Sequence, residues 1–412
     1  MKKIMILAAS AALVLAGCAK MQTIETNDVD SPVGFAPYVG NAVTKAGSTG
    51  ELTDAKLASE GFGVFAFVTT GDYAGGIYPN FMYNEKVYKS GETWTYDHIK
   101  YWPNQIQNGN TDGQTPPATA KQADKVSFFA YAPYVAAGSG TSGIKSISAK
   151  NFAGDPTVTY TMVNTLDDQV DLCWGVVNPS ENVTWNTVVS GVTIPLSKGL
   201  PFLNLQKPAI NTPIHFYFRH ALAQLNLQAV AAYNQLAAGG TAQNEVKITI
   251  EKVKLTVPGI NSTATLNLNN DISNEPKWVI DAATADYEMV VEGDNIHADV
   301  KDDGEGAQTA TVTNTPKDVI VANKYFTIIP KSTETSITVE VTYYVTTEDT
   351  ALQDGYSRVK NVITHDVKFA KLQAGTKNTI KMILGISEVK FEAETTAWGP
   401  GVESEVDLPK NK

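Results

Sequence analysis

The chain has 412 residues, 43% of them hydrophobic and 18% charged, with a formal net charge of −11 at pH 7. That length holds two ordinary domains and a leader; the apolar fraction suffices for real cores, and the charge content is too low for a disordered chain. An acidic balance with scattered lysines, and with only Arg219 and Arg358 as arginines, argues against nucleic acid as a partner.

The chain begins with a basic Met1-Lys2-Lys3, followed by an apolar run from Ile4 to Ala16 that is too short to span a bilayer. The run ends in Leu15-Ala16-Gly17-Cys18, which resembles a bacterial lipobox, a signal whose cysteine is freed at its amino side and acylated. Residues 1–17 are therefore expected to be a lipoprotein signal peptide, with Cys18 as the lipidation site and outer-membrane lipid as its partner. The other cysteine, Cys173, leaves no disulfide framework for the folded part. Ala19 to Ser31 is polar and aperiodic and reads as a tether.

From Val33 the pattern changes. Val33, Phe35, Val39 and Val43 fall on one face of an extended segment with small residues between them, the mark of a strand with one buried face. The segment runs directly into Thr44-Lys45-Ala46-Gly47, a flexible basic turn open to proteolysis. A core strand joined to a cleavable turn makes sense if the strand is meant to be removed, so residues 18–45 read as a propeptide. Burying those four side chains is worth roughly 1.5 to 3 kcal/mol each. Their removal would leave an apolar groove and a row of unpaired backbone groups, a template for another strand.

Downstream, strands are predicted at Gly61 to Val68, Lys125 to Ala132, Thr157 to Val163 and Val170 to Val177. A Pro- and Asn-bearing loop, Leu205 to Pro213, marks the expected boundary between domains at 46–207 and 208–385. Ile214 to Val230 favours strand, with a helical turn over Ala221 to Leu225 as the alternative. Val246 to Val257 alternates cleanly, and similar runs lie at Ala264 to Leu268, Val319 to Ile329, Ser336 to Val345, Val359 to Phe369 and Thr379 to Val389. So many short strands with turns between them predict two β-sandwiches, one per half. In the last stretch, 386–412, Val402, Val406 and Leu408 share a face with Ser404, and Glu403, Glu405 and Asp407 lie opposite. This period-2 tail beside a Gly-Pro-Gly hinge is the candidate donor strand for the opened groove.

Catalytic patterns are absent from the sequence. His98, His215, His220, His297 and His365 are scattered without a metal-ligand spacing, and His215 and His220, five apart, would point to opposite faces of a strand. No metal site and no cofactor are expected. Cys173, between Leu172 and Trp174, reads as a buried small hydrophobe. The acidic run Asp299 to Glu305 has the wrong spacing for a calcium loop and reads as a solvated turn, and Asp349-Thr350-Ala351 resembles a short bacterial O-glycosylation signal.

Several blocks occur in a fixed order: Gly61-Phe-Gly-Val-Phe-Ala-Phe, Asn80-Phe-Met-Tyr-Asn-Glu-Lys-Val, Trp94-Thr-Tyr, Lys100-Tyr-Trp-Pro-Asn and Val126-Ser-Phe-Phe-Ala-Tyr-Ala-Pro-Tyr. They continue in Arg219-His-Ala-Leu-Ala-Gln-Leu and Ala374-Gly-Thr-Lys-Asn-Thr-Ile-Lys, and close on Trp398-Gly-Pro-Gly. In this the chain resembles the fimbrillin family of type V pili, surface fibres of certain anaerobic Gram-negative bacteria. The resemblance implies an all-β chain of two transthyretin-like Greek-key sandwiches in tandem, not an enzyme. It also implies export as a lipoprotein and cleavage by a trypsin-like protease between Lys45 and Ala46, with Lys56, in an expected loop, as the next candidate. Polymerisation would follow through strand exchange with other pilin subunits, giving surface fimbriae that support adhesion. The alternative expectation is a surface lipoprotein that binds glycans on an aromatic platform of Trp94, Tyr96, Tyr101 and Trp102.

Overall fold

A computed structural model describes residues 31–39, 52–103, 125–140, 143–187, 193–232, 246–270, 275–280, 285–304, 310–386 and 389–398. In chain order its strands begin with β1 (Tyr38–Val39), β2 (Phe62–Thr69), β3 (Met82–Ser90), β4 (Thr93–Thr95), β5 (Lys125–Ala132), β6 (Ile144–Ile147), β7 (Thr157–Thr161) and β8 (Cys173–Val176). They continue with β9 (Thr184–Asn186), β10 (Thr193–Pro195), β11 (Phe202–Leu205), β12 (Tyr217–His220), β13 (Ala223–Ala231), β14 (Val246–Ile260), β15 (Thr263–Asn267) and β16 (Lys277–Ile280). The last are β17 (Ala285–Glu292), β18 (Lys317–Asp318), β19 (Phe326–Ile328), β20 (Thr335–Glu348), β21 (Tyr356–Phe369), β22 (Thr376–Leu384) and β23 (Val389–Ala397). Among the described residues one α-helix, α1 (Asp54–Glu60), interrupts the β pattern, capped by the Thr53 side chain on the Lys56 N–H.

The first sheet has the order β1-β12-β8-β5-β2-β3-β4, with β11 also paired to β5. Its central strands are apolar on both faces because both faces are covered. Phe62, Val64, Ala66, Phe128 and Ala130 enter one core with Val33, Phe35, Val39, Phe216 and Phe218. The alternate residues Phe65, Phe67, Phe129, Tyr131 and Trp174 enter a second core that is continuous with the C-terminal strands. Period-2 geometry thus explains why Gly-Phe-Gly-Val-Phe-Ala-Phe-Val carries almost no polar residue.

Gly63 within that run cannot be replaced cheaply. A Cβ there would lie 2.3 Å from Cε1 of Tyr131, whose hydroxyl is held by Asn84 Oδ1 at 2.8 Å and the Val135 carbonyl at 2.9 Å. Gly63→Ala is therefore expected to destabilise by about 1 to 3 kcal/mol, the usual cost of overpacking, read as a lowered urea midpoint with unchanged slope.

The C-terminal strands form two sheets, β18-β13-β22-β23 with β19 on β13, and β17-β14-β20-β21. Their inward residues, among them Leu225, Leu227, Ile380 and Met382 from the first and Ile250, Leu255, Val339 and Val341 from the second, share one core, a β-sandwich. Two pairings are parallel, β1 with β12 and β13 with β22. In each the partners are far apart in sequence, as parallel pairing requires.

Several expectations are refined. The predicted strand at 214–230 is two strands, because the chain leaves the first sheet as β12 and enters the sandwich as β13; the intervening Ala221 and Leu222 are buried at that crossing, and no helical turn forms. The change of layer falls at Ala221–Leu222. A further sheet, β16-β15-β7-β6, mixes strands from both sides of the expected boundary, with Thr161 opposite Thr263 and Thr157 opposite Asn267. The predicted strand at 319–329 is broken by Asn323, at φ 68°, and β19 is the strand that forms within it. Lys56, expected in a loop, sits in the first turn of α1 and pairs with Glu60 across one helical turn at 3.7 Å.

The stretch at 386–412 also needs division. Its first part is the resident strand β23, paired with β22 from Thr376–Ala397 to Leu384–Val389 and packed on the core through Phe391 and Ala393. Only the residues after Trp398 remain as a candidate donor.

Candidate functional site

The segment 31–39 lies at the edge of the first sheet. Three of the four residues predicted to face the core do so, with Val33 at 2%, Phe35 at 5% and Val39 at 3% relative exposure. Val43, Lys45, Ala46, Cys18, Val402, Val406 and Leu408 lie outside the described residues.

Backbone bonds tie this segment to its neighbours on two sides. Against β12, the N–H of Ala36 donates to the Ile214 carbonyl at 2.9 Å, the N–H of Tyr38 to that of Phe216 at 2.9 Å, and the N–H of Ile214 to that of Gly34 at 2.8 Å. On the opposite side the N–H of Val33 donates to the Lys100 carbonyl at 2.8 Å and that of Trp102 to the Ser31 carbonyl at 3.0 Å. Tyr96 adds its hydroxyl to the Val33 carbonyl at 2.8 Å.

Phe35 is the anchor. Its ring stacks on Phe216 at 6.0 Å with an interplanar angle of 13° and meets Tyr96, Phe62 and Phe128 edge-on at 5.6, 6.0 and 6.2 Å. At the end of the segment the Val39 N–H donates to Asp54 Oδ1 at 2.8 Å, so β1 also holds the start of α1. The site is thus an apolar slot between β12 and the 96–102 loop, filled by a short strand whose backbone completes the sheet.

The same geometry disposes of the aromatic platform. Tyr96 and Trp102 are buried, at 4% and 5% exposure, and Trp94 packs edge-on against Phe62 at 5.6 Å. Only Tyr101 is exposed. Tyr96 and Trp102 help close the slot that holds Phe35, so the four rings do not form a continuous open face on which to stack a sugar.

A polar cluster missed by sequence reasoning lies where β8 and β12 of the same sheet pair. Asp171 Oδ2 accepts from the Leu52 N–H at 2.9 Å and lies 2.7 Å from Nδ1 of His220. Cys173 Sγ is 3.6 Å from that same nitrogen. The His220 ring stacks on Trp398 at 4.0 Å and 8°, and the Trp398 N–H donates to the Gly375 carbonyl at 2.7 Å. Beside it is a cavity of about 180 Å³, lined by Trp174, Tyr217, Arg219, His220, Gly375 and Trp398. Asp171 and His220 are 49 positions apart, so no local motif announces the pair. The available signal was the antiparallel register, which sets His220 opposite Cys173.

Other predicted sites have ordinary roles. Asp299 pairs with Lys317 at 2.8 Å, which lowers its carboxyl pKa through that hydrogen bond and charge, while Asp302 binds Thr249 and Arg358. Thr350 is exposed in the turn between β20 and β21.

Residues 204–398 match a family model described as fimbrillin-like. The fimbrium subunit Fim1C of Phocaeicola vulgatus is 31% identical over 170 residues, which is 39% of this chain and 40% of that protein, so the match spans less than half of the relative. Among solved structures, a fimbrial protein from Bacteroides vulgatus shares the fold at a TM-score of 0.60 and 19% identity, over 89% of this chain and 99% of that one. By fold, then, this is an all-β protein that shares the architecture of that solved structure. Over residues 204–398 the chain is similar to the fimbrillin-like family model, the resemblance that its ordered motifs carry.

Proposed function

We propose that the chain is a structural subunit of a cell-surface fimbria that polymerises by exchanging strands, supporting adhesion. The observation that carries this reading is the slot: Val33, Phe35 and Val39 contribute to the first core, yet they reach it on an edge segment of 31–39 that leads toward Lys45. In the proposed cycle Cys18 is acylated and holds the precursor at the outer membrane. A trypsin-like protease cuts between Lys45 and Ala46, the segment bearing Val33, Phe35, Val39 and Val43 departs, and β12 becomes an open edge. The tail of another subunit then enters, with Val402, Val406 and Leu408 filling the vacated pockets. A chain that both accepts and donates suits an internal position in the fibre. The matched relative, a fimbrium subunit, supports the same reading.

Lys45 is a better cleavage point than Lys56. Proteases need extended, accessible backbone, whereas Lys56 is helical and its neighbour Leu57 is buried at 1% exposure. Amino-terminal sequencing of the surface-assembled form should therefore begin at Ala46, and Lys45→Ala should hold the chain at precursor mass without SDS-resistant ladders. An assembled form that still begins at acylated Cys18 would overturn the scheme.

A further inference from the structure

The strand register of the first sheet gathers three metal-binding side chains that no local spacing announces. Asp171 lies just ahead of β8, two positions before Cys173, and the β12–β8 register places His220 directly opposite Cys173. One ligand atom from each lies within 4.8 Å of the other two. From this we propose that Asp171, Cys173 and His220 form a binding site for a single divalent transition-metal ion of the zinc type.

The spacing suits such an ion. With Zn–N near 2.0 Å and Zn–S near 2.3 Å, tetrahedral geometry separates nitrogen and sulfur by about 3.5 Å and nitrogen and carboxylate oxygen by about 3.3 Å. The His220 Nδ1 to Cys173 Sγ distance of 3.6 Å meets the first directly. The 2.7 Å from Nδ1 to Asp171 Oδ2 must open by roughly half an ångström, as happens when an ion replaces a shared proton.

The electrostatics point the same way. Asp171 is 1% exposed, and its Oδ1 has no hydrogen-bond partner, an unsatisfied carboxylate oxygen of the kind that calls for an explanation. The Leu52 N–H on Oδ2 orients the carboxylate as outer-shell donors do at metal sites. A thiolate and an imidazole select against calcium and magnesium. Three protein ligands leave the fourth position to water, the ligand count of an open site, and of the three it is His220 that lines the neighbouring cavity of about 180 Å³. Cys173 has no disulfide competitor within the folded part, since the other cysteine of the chain is Cys18.

The test is titration of the metal-free full-length chain with Co²⁺, whose thiolate charge-transfer absorption reports a cysteine ligand. One equivalent should bind with that absorption, and Zn²⁺ should displace it. Cys173→Ser should abolish the absorption, and Asp171→Asn should weaken Co²⁺ affinity at least about tenfold, the range set by loss of even outer-shell partners. Because Asp171→Asn also alters the contact to Leu52, Cys173→Ser, nearly equal in size, is the deciding variant, and its circular dichroism should match the parent. Failure to retain Co²⁺ at one equivalent, or an absorption that survives Cys173→Ser and therefore belongs to Cys18, would overturn the assignment.

Discussion

Phe35→Ala should lower the stability of the uncut precursor by about 3 to 5 kcal/mol, the usual cost of truncating a buried phenylalanine to a cavity. The ring meets Phe62, Tyr96, Phe128 and Phe216, and these neighbours sit on different strands and a loop, so they cannot collapse together into the vacated space. Against a typical total of about 5 to 15 kcal/mol, this is a fifth or more of what holds such a domain. Its effect on the mature fibre should be nil, because Phe35 would have left with the propeptide. The two measurements are the urea midpoint of the precursor and the thermal resistance of the assembled polymer. Equal destabilisation of both would show that the segment 31–39 stays in the mature subunit, and would end the strand-removal scheme.

The second large effect is expected at the other end of the chain. In the double variant Val406→Asp, Leu408→Asp, two carboxylates would have to enter an apolar slot, and burying an unpaired charge costs far more than the apolar contact it replaces. Polymer yield should fall to near zero, while precursor folding and lipidation continue, since residues beyond Trp398 lie past the last ladder contact of β23. Undiminished SDS-resistant ladders from this variant would remove Val402, Val406 and Leu408 from the donor role.

How much of the fold was legible beforehand depended on whether the determining contacts were local. The span of β5 was readable to the residue, and β14, β20 and β21 nearly so, because alternation along one strand records which face is wet. The buried faces of Val33, Phe35 and Val39 were readable for the same reason. The aromatic cluster was only half legible: composition reveals four rings near one another in the chain, whereas the inward packing of Tyr96 and Trp102 depends on Val33 and Phe128, which lie more than twenty residues away. Helix α1 escaped notice because seven residues with a single buried side chain, Leu57, carry almost no periodic signal.

The amino-acid sequence by itself determined the all-β character of the chain and the inward face of Val33, Phe35 and Val39 in its first strand. Each is written in neighbouring residues, through side-chain period and turn chemistry. Only the tertiary structure decided that the first strand adds to β12 in parallel, that β7 pairs with β15 across the expected boundary, that β23 is resident, and that Asp171, Cys173 and His220 converge. Those outcomes rest on pairings between distant segments, and strand register is settled by how two apolar faces fit into one core, a quantity that no single segment contains.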